Sequence, residues 1–150
     1  MPPRDCQSRK AHALAHLARE RAHVWVSTAS PRGLPSLIPM SYAVLNGRVL
    51  VCTGAGSATS RNLQAGSTVR LAFGQTHDVV LITGRVEAHH TVAEAPAEIR
   101  DQFARQADWD PQLSEGDFRY FVLEPRTVAV WAEIEEHDGK TVMKDGVWTC

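Results

Sequence analysis

Residues 36–73 read SLIPMSYAVLNGRVLVCTGAGSATSRNLQAGSTVRLAF, and the changes of pattern along this stretch decide the fold. Ser36–Leu45 is extended and apolar-rich. Pro39 inside it lacks an N–H, which predicts an irregular or partly unpaired strand at that point. Asn46-Gly47 is a type I′ hairpin signal, since both positions tolerate positive φ. Ser36–Leu45 is therefore expected to pair with Arg48–Thr53. Gly54 and Gly56 then turn the chain into a short helix over Thr59–Ala65, ended by Gly66. Thr68–Phe73 is extended again.

Upstream, Gln7–Ala22 reads as a helix with Ala11, Leu14, Ala15, Ala18 and Ala22 at helical spacing. His23–Ala29 alternates, with Val24, Val26 and Thr28 on one side and Trp25 and Ser27 on the other. Pro31-Arg32-Gly33 is a turn. Downstream, Asp78–Ala88 is a strand in which Gly84 marks a bulge or a close approach. Thr91–Ala107 is helical in composition, with Pro96 near its first turn. A loop over Asp108–Gly116 carries Trp109. Phe118–Leu123 and Thr127–Ala132 read as two strands separated by Glu124-Pro125-Arg126, and Asp138-Gly139 and Asp145-Gly146 are turn signals in the tail. About seven short strands with tight turns predict a mainly β, α+β fold. Its form is a closed or partly open antiparallel barrel with flanking helices. One domain over residues 1–150 is expected.

Composition narrows the function. The chain has 150 residues, 43% hydrophobic and 22% charged, with a formal net charge of −1. No global field draws it to nucleic acid or to an anionic membrane. It has no apolar run long enough for a transmembrane helix, and Met1–Lys10 is too polar for a secretory leader. Cys6, Cys52 and Cys150 are odd in number and widely spaced. The simplest reading is reduced thiols in a cytoplasm, with Cys52 an inert buried thiol between apolar neighbours.

The stretch Thr53–Leu63 carries the best candidate site. It leaves a strand, turns on two glycines and enters a helix, whose first amides form an anion site. Ser57, Thr59 and Ser60 add hydroxyls, and Arg61 adds a fixed planar charge suited to phosphate. The plainer alternative is that Ser57 or Thr59 caps the helix. The stretch is neither a Walker loop nor a complete G-x-G-x-x-G fingerprint, and Ser57 has no nucleophile elbow. His12 and His16 stand at i, i+4 without the glutamate of a metalloprotease motif, and His89-His90 point to opposite faces. No metal site is expected. Trp25 and Trp148 are read as packing residues.

The order of these segments is the stronger signal. A helix is followed by WVSTASPRGLPSLIPMSYAVLNGRVLVCT, then GAGSATSRNL, then STVRLAFG, with EPRTVAVW and DGKTVMKDGVW later. This order resembles the flavin-binding split β-barrel of the pyridoxamine 5′-phosphate oxidase-like superfamily over nearly the whole chain. The resemblance implies a split antiparallel barrel with Greek-key character, a homodimer, and FMN or the deazaflavin coenzyme F420 as cofactor. It implies that Pro39, Met40 and Ser41, with Cys52 and Thr53, line the isoalloxazine ring. Ser57, Thr59, Ser60 and Arg61 would hold the phosphate, and Trp131 would come from the partner subunit.

The sequence also departs from true pyridoxamine phosphate oxidases. Ala58 and Thr59 stand where those enzymes carry Arg-Lys, Ile38 replaces a strand arginine, and their C-terminal Arg/His motif is missing. Pyridoxal phosphate synthesis is not expected. Many F420 enzymes carry a lysine at the position of Thr59, which leaves FMN as the first reading, F420 as the second, and a non-catalytic cofactor- or haem-binding protein as the third. No acid–base pair in the sequence names catalytic residues or the small-molecule substrate. Dimerisation has a physical reason beside the resemblance. A small barrel has a shallow mouth, and a twofold partner supplies the missing wall.

Overall fold

The computed structural model describes residues 2–150. Nine strands form one sheet: β1 (His23–Ala29), β2 (Pro35–Ser41), β3 (Ala43–Leu45), β4 (Arg48–Gly54), β5 (Val69–Gln75), β6 (Asp78–Thr91), β7 (Phe118–Ala132), β8 (Thr141–Lys144) and β9 (Val147–Trp148). The hydrogen-bonded order is β2-β1-β5-β6-β7-β4-β3, every pair antiparallel, with β8 added to β7 and β9 to β8. The long strands β6 and β7 curl the sheet so that β2 approaches β4 without pairing to it, which makes a split barrel. Inward residues such as Val26, Val51, Leu71, Ile82, Phe121 and Val130 fill its core. Helix α1 (Cys6–Leu17) packs beside β7 and β8, α2 (Ala58–Gln64) lies against β1, β4 and β6, and α3 (Ala97–Gln106) covers β3 and β4. Under α3 a second cluster joins Leu50, Cys52 and Tyr120 to Ile99 and Phe103.

Several local expectations hold. Asn46 and Gly47 both have positive φ, 51° and 76°, in a two-residue hairpin turn. Gly66, at φ 88°, follows α2. The β6–β7 register shifts between Thr83 and Gly84, where a side chain on Gly84 would collide with the Glu124 carbonyl.

Others are corrected. The extended run over residues 36–45 is two strands. β2 pairs with β1 in unbroken register from His23↔Ser41 to Ala29↔Pro35, and only Ala43–Leu45 pairs with β4 through the hairpin. Pro39 does not interrupt β2, because β2 is an edge strand and a free edge tolerates a missing donor. Phe118–Ala132 is one strand, not two. Pro125 lies opposite Gly84, next to the register shift that leaves Arg126 unpaired.

The first helix ends at Leu17, and its buried face is Arg9, Ala13 and Leu17. Arg9 is only 3% exposed and donates to the carbonyls of Arg4, Val130, Glu136 and Asp138. Four carbonyl acceptors satisfy N–H donors of this buried guanidinium. Beside it, Arg4 pairs with Glu136 and Asp78. The reading of three reduced cysteines is also corrected: Cys6 and Cys150 form a disulfide across 144 residues, and Cys52 alone is free. The start of α1 and the end of β9 meet only in the folded chain, so spacing could not reveal the pair. The thiols therefore give no argument for a reducing compartment.

Candidate functional site

The glycine turn stands at the C-terminal end of β4. The Ala55 amide donates to the Asp117 carbonyl (2.8 Å) and Ser57 N–H to the Gly54 carbonyl (3.0 Å), which close the turn. Ser57 is the N-cap of α2: its hydroxyl accepts from the Ser60 amide (3.0 Å) and lies 3.2 Å from the Thr53 hydroxyl. The capping alternative is thus realised, and it leaves the amides of Ala58 and Thr59 without intrahelical acceptors. Arg61 is exposed and donates through Nη1 to the Gly56 carbonyl, which folds its guanidinium back over the turn. Thr59 and Ser60 point inward, 2% and 0% exposed, and the Ser60 hydroxyl accepts from Gln64 (2.9 Å).

A second cation belongs to this end of the barrel. Thr53 stands opposite Arg119 in the β4–β7 register. Arg119 Nη1 donates to His89 Nδ1 (2.9 Å), while its Nε is buried without a partner. Burial, and then the Arg119 charge, lower the His89 pKa below its ordinary value, which keeps that nitrogen an acceptor. Arg119 was not singled out from the sequence. A lone arginine in an alternating strand carries no signal until the register sets it across from Thr53.

The ring-lining candidates are distributed along β2 and β4. Pro39 is exposed opposite Trp25, and Met40 turns into the core at 7% exposure. The Ser41 hydroxyl donates to Asp108, which also takes His23 Nε2 at 2.7 Å. The Ser41 and His23 hydrogen bonds hold the Asp108 carboxyl below its ordinary value against its partial burial. Cys52 faces α3, and burial pushes its thiol up to about 12. Trp131 lies near the other end of β7. Gly54 pairs with Phe118 whereas Trp131 pairs with Val79, which are separated by roughly 40 Å of extended strand. Within one chain Trp131 does not join the turn. It meets His137 edge-on, with the Lys140 ammonium 5.1 Å from its ring centre.

Trp25 is not a packing residue: it is 51% exposed, and Leu37 on the neighbouring strand is 63% exposed. Both lie on the outer face of β1 and β2 because Val24, Val26 and Met40 take the inner one. Ala72, Leu81 and Ala129 continue this outer face in register, and Val79 and Trp131 form the adjoining pair. Of these residues Trp25 and Leu37 are exposed and the others half-buried. Trp148, by contrast, packs against the core as expected. Among the described residues, no three His, Cys, Asp or Glu side chains gather as a metal site, and no helix is long and apolar enough to cross a membrane.

The model of the family described as pyridoxamine 5′-phosphate oxidase matches residues 11–132. No curated protein matches the chain. Solved structures share the fold. A pyridoxamine 5′-phosphate oxidase-related, FMN-binding protein of Nostoc punctiforme is 15% identical, with TM-score 0.56, covering 94% of this chain and 90% of its own. A protein named F420 reductase is 17% identical, with TM-score 0.58, covering 77% and 94%. A haem-binding protein of Mycobacterium smegmatis is 16% identical, with TM-score 0.62, covering 97% of this chain and 60% of its own. At these identities the likeness establishes the split barrel, and the bound groups remain those of the three proteins.

Proposed function

Because the chain belongs to the pyridoxamine 5′-phosphate oxidase family, we propose that it is a flavin-dependent oxidoreductase that holds FMN between two copies of itself. The observation that carries this reading is the capped glycine turn with Arg61 folded over it; Arg119, in register with Thr53, adds a second positive charge at this end of the barrel, with its Nη1 on His89 of β6. A phosphate group fits this donor set, which offers the Arg61 guanidinium and helix amides. Ser57, Thr59 and Ser60 contribute mainly through the backbone of the first turn, and Arg61 through its charge. In this reading Pro39, Met40 and Ser41, with Cys52 and Thr53, would line the ring system through their backbone, since Met40 turns its side chain into the core and Cys52 turns its own under α3. FMN supplies the hydride chemistry, and the chain orients it and excludes water.

The uncovered outer face with Trp25 and Leu37 supports the dimer. A twofold partner would cover it, and would bring a Trp131 that a single chain keeps away from the turn. All of residues 1–150 form one flavin-binding unit in this reading. Ala58, Thr59 and Ile38 weigh against pyridoxamine phosphate as the substrate. Coenzyme F420 is the second candidate for the same turn, which the shared fold with the F420 reductase supports.

An absorption spectrum of the protein incubated with FMN, F420 or haem and then desalted tests the assignment. Retained flavin absorbance with quenched flavin fluorescence is expected. Retention of F420 alone would move the assignment to that coenzyme, and a Soret band without flavin retention would overturn it.

A further inference from the structure

We propose that a cavity between α1, α3 and the β8–β9 hairpin is a second ligand site, built for a small amphipathic monoanion such as a medium-chain carboxylate. The cavity is distinct from the glycine turn. Gly47 and Arg48, at the start of β4, line it, whereas the turn begins at Gly54 at the other end of that strand. Its volume is about 600 Å³, within the range of ~300–1,000 Å³ usual for small-molecule pockets.

The walls are apolar. Leu17, Ile82, Val128 and Met143 belong to the barrel core and also line the cavity. Leu14 lines it too and is 44% exposed, three residues before Leu17 on the same side of α1. An apolar ligand would cover this leucine, which the chain leaves half exposed.

The polar groups at the cavity select the charge. Arg105 Nη1 donates to Gln102 (2.7 Å), and Gln102 donates to Gln106 (3.1 Å). Gln106 is 6% exposed, and it also accepts from the Val44 amide and donates to the carbonyls of Leu17 and Arg19. This relay links the exposed Arg105 guanidinium to a buried glutamine, and no carboxylate among the described residues pairs with it. Arg48 is already engaged by Glu87 at 2.8 and 3.2 Å. Glu20 also lines the cavity, but no hydrogen bond holds its side chain in place. The pre-positioned charge is therefore positive, and a planar guanidinium suits a carboxylate.

The cavity is also held in shape. The Cys6–Cys150 disulfide ties the start of α1 to the end of the β8–β9 hairpin. Lys10 reinforces this tie, donating to the Cys150 carbonyl (3.2 Å) with its ammonium 5.2 Å from the Trp148 ring centre. Walls fixed before binding spare the ligand an ordering cost.

Calorimetric titration with decanoate below its micellar concentration tests the site, with decyltrimethylammonium as the cationic control. One decanoate per chain should bind saturably, and the ammonium should not. Arg105→Ala should weaken decanoate binding by about tenfold, the ratio for losing one charge-assisted hydrogen bond. Leu14→Trp, at a half-exposed position, should fill the cavity and abolish binding. No saturable decanoate binding, binding unchanged in both variants, or equal binding of the ammonium would overturn the proposal.

Discussion

Thr53 at the end of β4 stands directly opposite Arg119 of β7, and the Thr53 hydroxyl lies 3.2 Å from that of Ser57, the cap of α2. The pairing sets a cation beside the strand that leads into the glycine turn, while Arg61 approaches the same turn from the helix. Arg61 thus lies at the turn itself, whereas the Arg119 guanidinium reaches from β7 to His89 of β6.

If this turn holds the FMN phosphate, Arg61→Ala weakens FMN binding by roughly 1.5–3 kcal/mol, the value of one charge-assisted hydrogen bond. Arg119→Ala lowers affinity in the same direction. Fluorescence titration with FMN reads both, and wild-type affinity in both variants would remove the turn from the site.

Trp131→Ala is expected to weaken dimerisation and FMN binding together, since in this account one surface serves both. Light scattering and FMN titration on the same sample follow the two properties. Loss of either one alone would separate Trp131 from a shared interface.

Thiol titration checks the cysteine pattern. Native protein should show no reactive thiol, because two cysteines are bonded and burial holds Cys52 protonated. Denaturation without reductant should expose one thiol, and reduction should release the other two. Reduction should also destabilise the fold by about 2–4 kcal/mol in a urea titration. Three thiols in unreduced, denatured protein would show that the bond is not formed.

Acid should unlock the N-terminal clasp. Glu136 accepts from Arg4 and from the Ala132 amide, and the Arg4 hydrogen bonds lead in holding its carboxyl down at about 2. A folded-state pKa below the ordinary value of 4.5 means a stabilisation present in full above that pH and lost as pH falls towards 2. Urea midpoints of the wild type should fall through this window. Glu136→Gln should have a lower midpoint at neutral pH and a flatter profile in acid. Parallel profiles for the two proteins would contradict this role.

How much of this was legible in the sequence depended on distance along the chain. A cap at Ser57 or Thr59, the Asn46-Gly47 turn and a bulge or close approach at Gly84 are local, and the residue types predict them; the structure selects Ser57 and the bulge. Arg119 beside Thr53, and Cys6 bonded to Cys150, are products of strand register and chain return, which local pattern does not encode. Trp25 shows a subtler limit. Alternation separates the two faces of β1 but does not say which face the rest of the chain leaves uncovered. Glu124-Pro125-Arg126 reads as a separator between two strands. The position of Pro125 opposite Gly84 at a bulge lets β7 run on.

Sedimentation velocity of the FMN-loaded protein, recorded in the flavin's visible absorption band, tests the central claim most directly. Flavin absorbance should move as one boundary with twice the chain mass of 16.5 kDa. Flavin that stays behind as free cofactor, or travels with a single chain, would contradict binding at an interface between two copies.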